Sequence, residues 1–366
     1  MKDILKPDPR KSPVEYFQMA LNMVKEITGL EPTPDQEARL LIESGKVCDS
    51  AGEWAQALDK LQRSLELCEA DETKGEALKQ MGNIRSKLAD WEGALEAYEA
   101  SLEILNRLGK TSEAGNIYDS IGFNYFEIGN LDKAREYYDK SLEIAEQYND
   151  TQLMADVHSD LGVLSNVLGQ RDEAVMYYQK SAAGYESVAD NHGLAQVHHN
   201  LAMTYADMEK WKIAGEHYQK SIELCLKIGE TDLLSIIYTN RAQFALRLHD
   251  PYTAKSYCDK ALEIFEETGN MMGVAEIHKL YGMIYSSVQE WDSADRFFWK
   301  GVEVCEKYKN HLTAAEIYHE LGLMNRNRQE DEKALMHMRK AIEIFETLEI
   351  EHEVSRIREE IQAMVA

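Results

Sequence analysis

The chain has 366 residues, 44% hydrophobic and 29% charged, with 65 acidic against 40 basic side chains and a formal charge of −25. That balance excludes a surface built for nucleic-acid phosphates, which need a basic footprint. No run of 18 apolar residues occurs and the opening MKDILKPDPRK is too charged for a signal peptide, so neither membrane insertion nor export is expected and a cytoplasmic protein is.

In chain order, residues 1 to 11 carry Pro7 and Pro9 and read as an extended arm. Ser12-Pro13-Val14-Glu15 is a capping box, and Val14, Phe17, Leu21, Val24 and Ile27 make one apolar face of a lone helix expected to cap the helices after it. Residues 1–34 are thus arm, helix and connection. Thr33-Pro34-Asp35-Gln36 is a second capping box, and a repeat begins there. Small residues recur at Gly82, Gly122, Gly162, Ala202, Ala242, Gly282 and Gly322, a spacing of 40, with Gly45 leading Gly82 by 37. A second small column comes 12 later, from Ala57 and Ala94 through Ala134 and Ala174 to Ala334, and a third lies 7 beyond, from Ser64 and Ser101 to Ala341. Eight copies span residues 35–348. A fixed period of this length predicts stacked supersecondary units rather than a globule with one central core.

Each copy must be two helices. Around Gly122, Tyr118, Ile121 and Tyr125 form an i, i+3, i+4, i+7 stripe, and Leu131, Ala134, Tyr138, Leu142 and Ala145 form a second. Between them Gly129 can turn left-handed and Asn130 can cap; in the sixth copy Asp250-Pro251 does the capping. Two antiparallel helices approach closely only where one side chain is small, which explains the small columns, and Tyr98, Tyr138, Tyr178, Tyr218 and Phe298 are the large partners. Residues 349–366, with Val354, Ile357 and Ile361 on one face, read as a carboxy-terminal capping helix.

The small columns, the Trp or Leu that opens the second helix (Trp54, Trp91, Leu131, Trp211, Trp291) and the Tyr or Phe within it resemble the tetratricopeptide (TPR) repeat over residues 35 to 348. The copies are longer than the usual 34 residues and lack the closing proline. In this they resemble the repeats of kinesin light chains, Pins-type adaptors and bacterial peptide-sensing regulators. The resemblance implies an all-α, right-handed α-solenoid of eight helical hairpins, capped at both ends, whose first helices line a groove. It implies a scaffold or adaptor that binds a protein or peptide, with a peptide-responsive regulatory receptor as the alternative.

Chemistry finds little purchase. The chain has no HExxH, GxSxG or phosphate-binding glycine motif. His158, His198 and His278 share one column four before the anchor, among Tyr118, Tyr238 and Tyr318, and so read as packing residues. Columns of successive repeats stand on the order of 10 Å apart, too far to share one zinc ion. The five cysteines lie in core columns and form no CxxC. No enzyme, metal or cofactor is expected. Of the carboxylate clamp known in chaperone-binding TPR domains only Lys79 and Asn83 match, while Ser120, Asp156 and Asp160 stand where it needs asparagine and cations. Arg241, in a column otherwise apolar, is expected to snorkel or to pair with a carboxylate.

Candidate binding residues are those on the second face of each first helix. The third copy supplies Asp119, Phe123, Phe126 and Glu127, and the fourth Asp156 and Asp160. The fifth supplies His199, Asn200, Met203 and Asp207; the sixth Asn240, Gln243, Leu246 and Arg247; the seventh Lys279 and Met283; the eighth Leu323 and Arg326. A merely solvated face would be rich in Lys and Glu, so exposed Phe, Met and Leu favour binding. The face is acidic in copies three to five and apolar with cations beyond, which suits a partner with basic and apolar residues; self-association stays open. Asn200 and Asn240, one copy apart, are expected to pair with a peptide backbone.

Overall fold

A computed structural model describes residues 33 to 365. The arm and helix expected over residues 1 to 32 lie outside the described residues. The described chain is helical throughout and divides into two compact units, one ending at Asp190 and one beginning at Asn191.

The first unit holds four hairpins: α1 (Pro34–Ser50) with α2 (Trp54–Leu67), α3 (Asp71–Lys87) with α4 (Trp91–Leu108), α5 (Thr111–Ile128) with α6 (Leu131–Tyr148), and α7 (Thr151–Val167) with α8 (Arg171–Val188). The second holds α9 (Asn191–Asp207) with α10 (Trp211–Ile228), α11 (Thr231–Arg247) with α12 (Pro251–Thr268), α13 (Met271–Ser287) with α14 (Trp291–Tyr308), and α15 (His311–Asn327) with α16 (Asp331–Thr347). A last helix, α17 (Glu351–Val365), ends the described chain. The odd-numbered helices α1 to α15 are the first of each hairpin, and within a unit they lie side by side.

The turns obey the expected chemistry. Thr33 caps α1 in a reciprocal capping box, Asn130 accepts from Lys133 N at 3.2 Å, and Asp250 accepts from Thr253 N at 3.0 Å with Pro251 opening α12. Gly129 closes α5 at φ 86°, in the left-handed region. The 37-residue step is a shortened helix, since α2 has 14 residues where α4 has 18.

The small columns are where one helix lies on the backbone of its mate. A Cβ placed on Gly162 would stand 2.5 Å from Tyr178 Cε1, and one on Gly282 would stand 2.4 Å from Phe298 Cδ1. The third column does more than make room. Ser64, Ser101, Ser141, Ser181 and Ser221 each donate Oγ–H to the first-helix carbonyl 26 residues earlier, at 2.6 to 2.9 Å. These hydroxyls are buried, and the bond satisfies them.

Across each hairpin from α5–α6 onward runs a pair of rings that sequence reading left unjoined. Tyr118 meets Tyr137 and His158 meets Tyr177 in the first unit. In the second, His198 meets His217, Tyr238 meets Tyr257, His278 meets Phe297 and Tyr318 meets His337, with centroids 5.1 to 6.2 Å apart. Burial pushes His198 and His278 down to about 4, so both are neutral packing groups at neutral pH.

Candidate binding surface

On the first unit the expected residues sit on α5 and α7. Phe123 is 42% exposed and Glu127 is exposed, while Phe126 packs partly against the core of the hairpins around it. Asp156 accepts from Tyr185 Oη at 2.7 Å and from Gln152 Nε2 at 3.2 Å. Among the described residues Asp160 has neither hydrogen bond nor ion pair. Asp119 turns Oδ1 into a place closed to solvent where no donor meets it. Burial raises all three carboxyls, and like charge adds to it: Asp160 and Asp156 act on Asp119, and Asp156 acts on Asp160, which reaches about 7. For Asp156 the bonds from Tyr185 and Gln152 pull the other way.

On the second unit the neighbouring first helices are laced by polar side chains. Asn240 Nδ2 lies 2.8 Å from His199 Nε2, so the imidazole accepts there and is neutral; burial holds it down at about 4. Asn240 is therefore occupied within the protein, whereas the Asn200 side chain has no partner among the described residues. Arg247 pairs with Asp207 at 3.3 Å and lies 5.2 Å from the Trp211 ring, on the α9–α11 seam. Gln243 Nε2 donates to Glu276 at 3.2 Å, and Lys279 Nζ reaches Glu276 at 2.7 Å and Glu316 at 2.5 Å. Burial works to lower the Lys279 ammonium, but the two carboxylates outweigh it and hold the group charged. On α15, His319 accepts at Nδ1 from Arg356 and donates from Nε2 to Glu360 at 2.7 Å.

Five of the expected residues, Gln243, Leu246, Arg247, Lys279 and Met283, line one cavity of about 760 Å³. Leu280, Leu312, Glu316, His319 and Glu320 complete its helical walls, and Glu320 is held up by burial against the pull of His319, Lys279 and Arg356. Its far wall was missed by sequence reading: Phe345 of α16, Ile350, and His352, Glu353 and Arg356 of α17. Alternation of apolar and charged residues in α17 marked it only as a cap, and Val354 and Ile357 are indeed buried. Met203 is 40% exposed beside Asn240 and outside the cavity. Leu323 packs instead against the core beneath α17, and Arg326 stays exposed away from the cavity.

Arg241 neither snorkels nor meets a carboxylate. Its guanidinium lies 4.7 Å from the Phe244 ring and 5.6 Å from those of Tyr218 and Tyr257, with Nη1 buried and unbonded. Gly215 leaves the space, since a Cβ there would stand 3.6 Å from Nη1. The clamp residues are likewise engaged internally, Lys79 with Glu76 at 2.6 Å and Asn83 with Tyr98 Oη at 2.9 Å.

Among the described residues no group of three or more His, Cys, Asp or Glu side chains is placed to hold a metal ion, and no helix is long and apolar enough to cross a membrane.

The family pattern described as the tetratricopeptide repeat matches residues 74–147 and 153–227, and a second pattern of the same repeat matches residues 40–75. No curated protein sequence matches the chain. Among solved structures, the apo quorum sensor NprR from B. thuringiensis is 15% identical, with 90% of this chain and 94% of that one covered at a TM-score of 0.68. Aspartyl phosphate phosphatase F from Bacillus subtilis is 13% identical, with 90% of each chain covered at 0.63. A Rap protein complexed with competence and sporulation factor is 16% identical, with 90% of this chain and 98% of that one covered at 0.56. At such identities the likeness is one of fold.

Proposed function

Because the chain belongs to the tetratricopeptide-repeat family, we propose that it is a binding protein, without catalysis, that takes a peptide or an extended segment of a partner protein on the face of its first helices. The observation that carries this reading is the 760 Å³ cavity of the second unit, where apolar Leu246, Leu280 and Met283 stand beside the charged Arg247 and Lys279. Apolar walls with a few fixed polar groups suit an anchoring side chain whose backbone must keep its hydrogen bonds. Asn200 is free to supply such bonds, and Gln243, whose Nε2 serves Glu276, can do so with its Oε1; Asn240 can do so only by giving up His199. A peptide-responsive receptor is favoured over a passive scaffold by one point: similar folds include a Rap protein solved with competence and sporulation factor and a quorum sensor.

A random peptide library displayed against the full chain tests the reading. Enriched peptides should carry apolar residues, and Met283→Glu or Leu246→Glu should weaken them by about tenfold or more, while Lys220→Glu on a second helix leaves them within about twofold. Peptides that bind all three variants equally well would place the site elsewhere.

A further inference from the structure

In both units, neighbouring first helices are tied together by side chains of opposite character, with one exception. In the first unit Lys46 reaches Glu76 at 3.1 Å and Lys87 reaches Asp49 at 2.7 Å, joining α1 to α3, and Lys110, just ahead of α5, reaches Glu72 on α3 at 2.5 Å. In the second, His199 with Asn240, Gln243 with Glu276, Lys279 with Glu316 and His319 with Glu360 join α9 through to α17. Between α5 and α7 no hydrogen bond or ion pair runs. There the facing groups are Asp119, Asp156 and Asp160, all acids.

Burying a carboxylate without a cation or donor is costly, and a folded chain does so only where something else compensates. Of the three, only Asp156 has donors, Tyr185 and Gln152. Asp119 Oδ1 remains enclosed and unbonded, a buried acceptor without a donor. The three carboxylates do not converge closely enough to hold a metal ion. A larger, planar cation with several N–H groups can span carboxylates that a single ion cannot, and guanidinium does so with two parallel bonds. Phe123, one helical turn beyond Asp119 on the same face and 42% exposed, offers a ring on which such a group can lie.

We propose that Asp119, Asp156 and Asp160 form a seat for one guanidinium or alkylammonium group, the basic side chain of a bound peptide, with arginine preferred. This rests on the reading of the first-helix face as a peptide-binding surface and names the chemistry that the first unit selects. The ligand's cation takes the place that Lys46 or Lys279 fills at other seams, and its arrival relieves the repulsion among the acids.

Saturation-transfer NMR on the full chain, with N-acetyl-argininamide as probe and N-acetyl-citrullinamide as its uncharged isostere, tests the seat without knowledge of the natural peptide. At pH 7.5 the arginine probe should bind in the millimolar range and the citrulline probe about tenfold more weakly or not at all. Asp160→Asn and Asp119→Asn should each weaken the arginine probe about fivefold or more with the helical circular dichroism intact. Binding should also fade as pH falls and the acids take up protons. Equal binding of both probes, undiminished binding to Asp160→Asn, or displacement by micromolar calcium would overturn the seat. Met283→Glu, in the other unit, should leave the arginine probe unaffected. Library peptides lost with Met283→Glu while the arginine probe never binds would remove the seat and keep the peptide reading; the opposite pattern would do the reverse.

Discussion

At the scale of single residues, glycine is used here in two opposite ways that give opposite predictions. Gly162 sits in the anchor column, where a methyl group would meet the Tyr178 ring at 2.5 Å. The ring would have to move, so Gly162→Ala should destabilise by about 1–3 kcal/mol, as overpacking does. Repeat five holds Ala202 there against Tyr218, which places the cost toward the lower end. Gly215 stands within α10 with only the Arg241 guanidinium nearby, at ordinary contact distance. Gly215→Ala should therefore stabilise by about 0.5–1 kcal/mol through helix propensity. Urea unfolding of the two variants checks both signs; equal signs would mean the Arg241 cage is tighter, or the Tyr178 contact looser, than the structure has them. The same scale explains why Arg241 tolerates its place. Three rings and an absent side chain supply what a carboxylate would have supplied elsewhere.

At the scale of the hairpin, every turn from the second repeat on passes through one left-handed residue, whatever the residue. Glycine fills it at Gly109, Gly129, Gly169, Gly229 and Gly269, but Ala89, Asn149, Ala189, Glu209, His249, Gln289, Lys309, Gln329 and Glu349 adopt it too. An L side chain there costs roughly 1–2 kcal/mol, which the packing of the two helices overrides. Gln289 has φ 60° and lies exposed between α13 and α14. Gln289→Gly should thus raise stability by about 0.5–1 kcal/mol, a gain reduced by the extra freedom of glycine in the unfolded chain. Thermal unfolding of this variant beside Gln179→Gly, a helix-interior control that should lose about as much, measures it. Legibility at this scale was high for the turns and low for the cross-links. The rings paired across the last six hairpins stand at fixed offsets from the anchor and could have been read as two columns, but nothing in one sequence says that those columns face each other.

At the scale of the whole molecule the dominant quantity is the charge of −25. Ion pairs are mostly on the surface and each is worth little in water. Self-repulsion among the surplus acids should outweigh them. Raising sodium chloride from about 20 mM to about 300 mM shortens the screening length severalfold, and the melting temperature should rise by a few degrees at pH 7.5. The effect should shrink near pH 5, where carboxyls begin to protonate. A fall in melting temperature with salt would mean that the bridges between first helices, such as Lys279 with Glu276 and Glu316, dominate instead.

The sequence by itself determined the period, the two helices in each copy, the small columns and the turn residues. It could do so because a helical hairpin encodes its packing locally, and eight copies repeat the message until the pattern stands out from the variation. It also placed Gln243, Leu246, Arg247, Lys279 and Met283 on one face, since helical spacing alone settles which residues share a side. Tertiary structure decided what each of those residues faces. Asn240 is taken by His199, Leu323 is covered by α17, α17 itself walls the cavity, and the three acids of α5 and α7 meet without a cation. Such outcomes depend on pairs of side chains about 40 residues apart, each with several rotamers and several candidate partners. No period in the sequence records which pair forms; only the packed chain, where burial makes an unmet polar group costly, selects it.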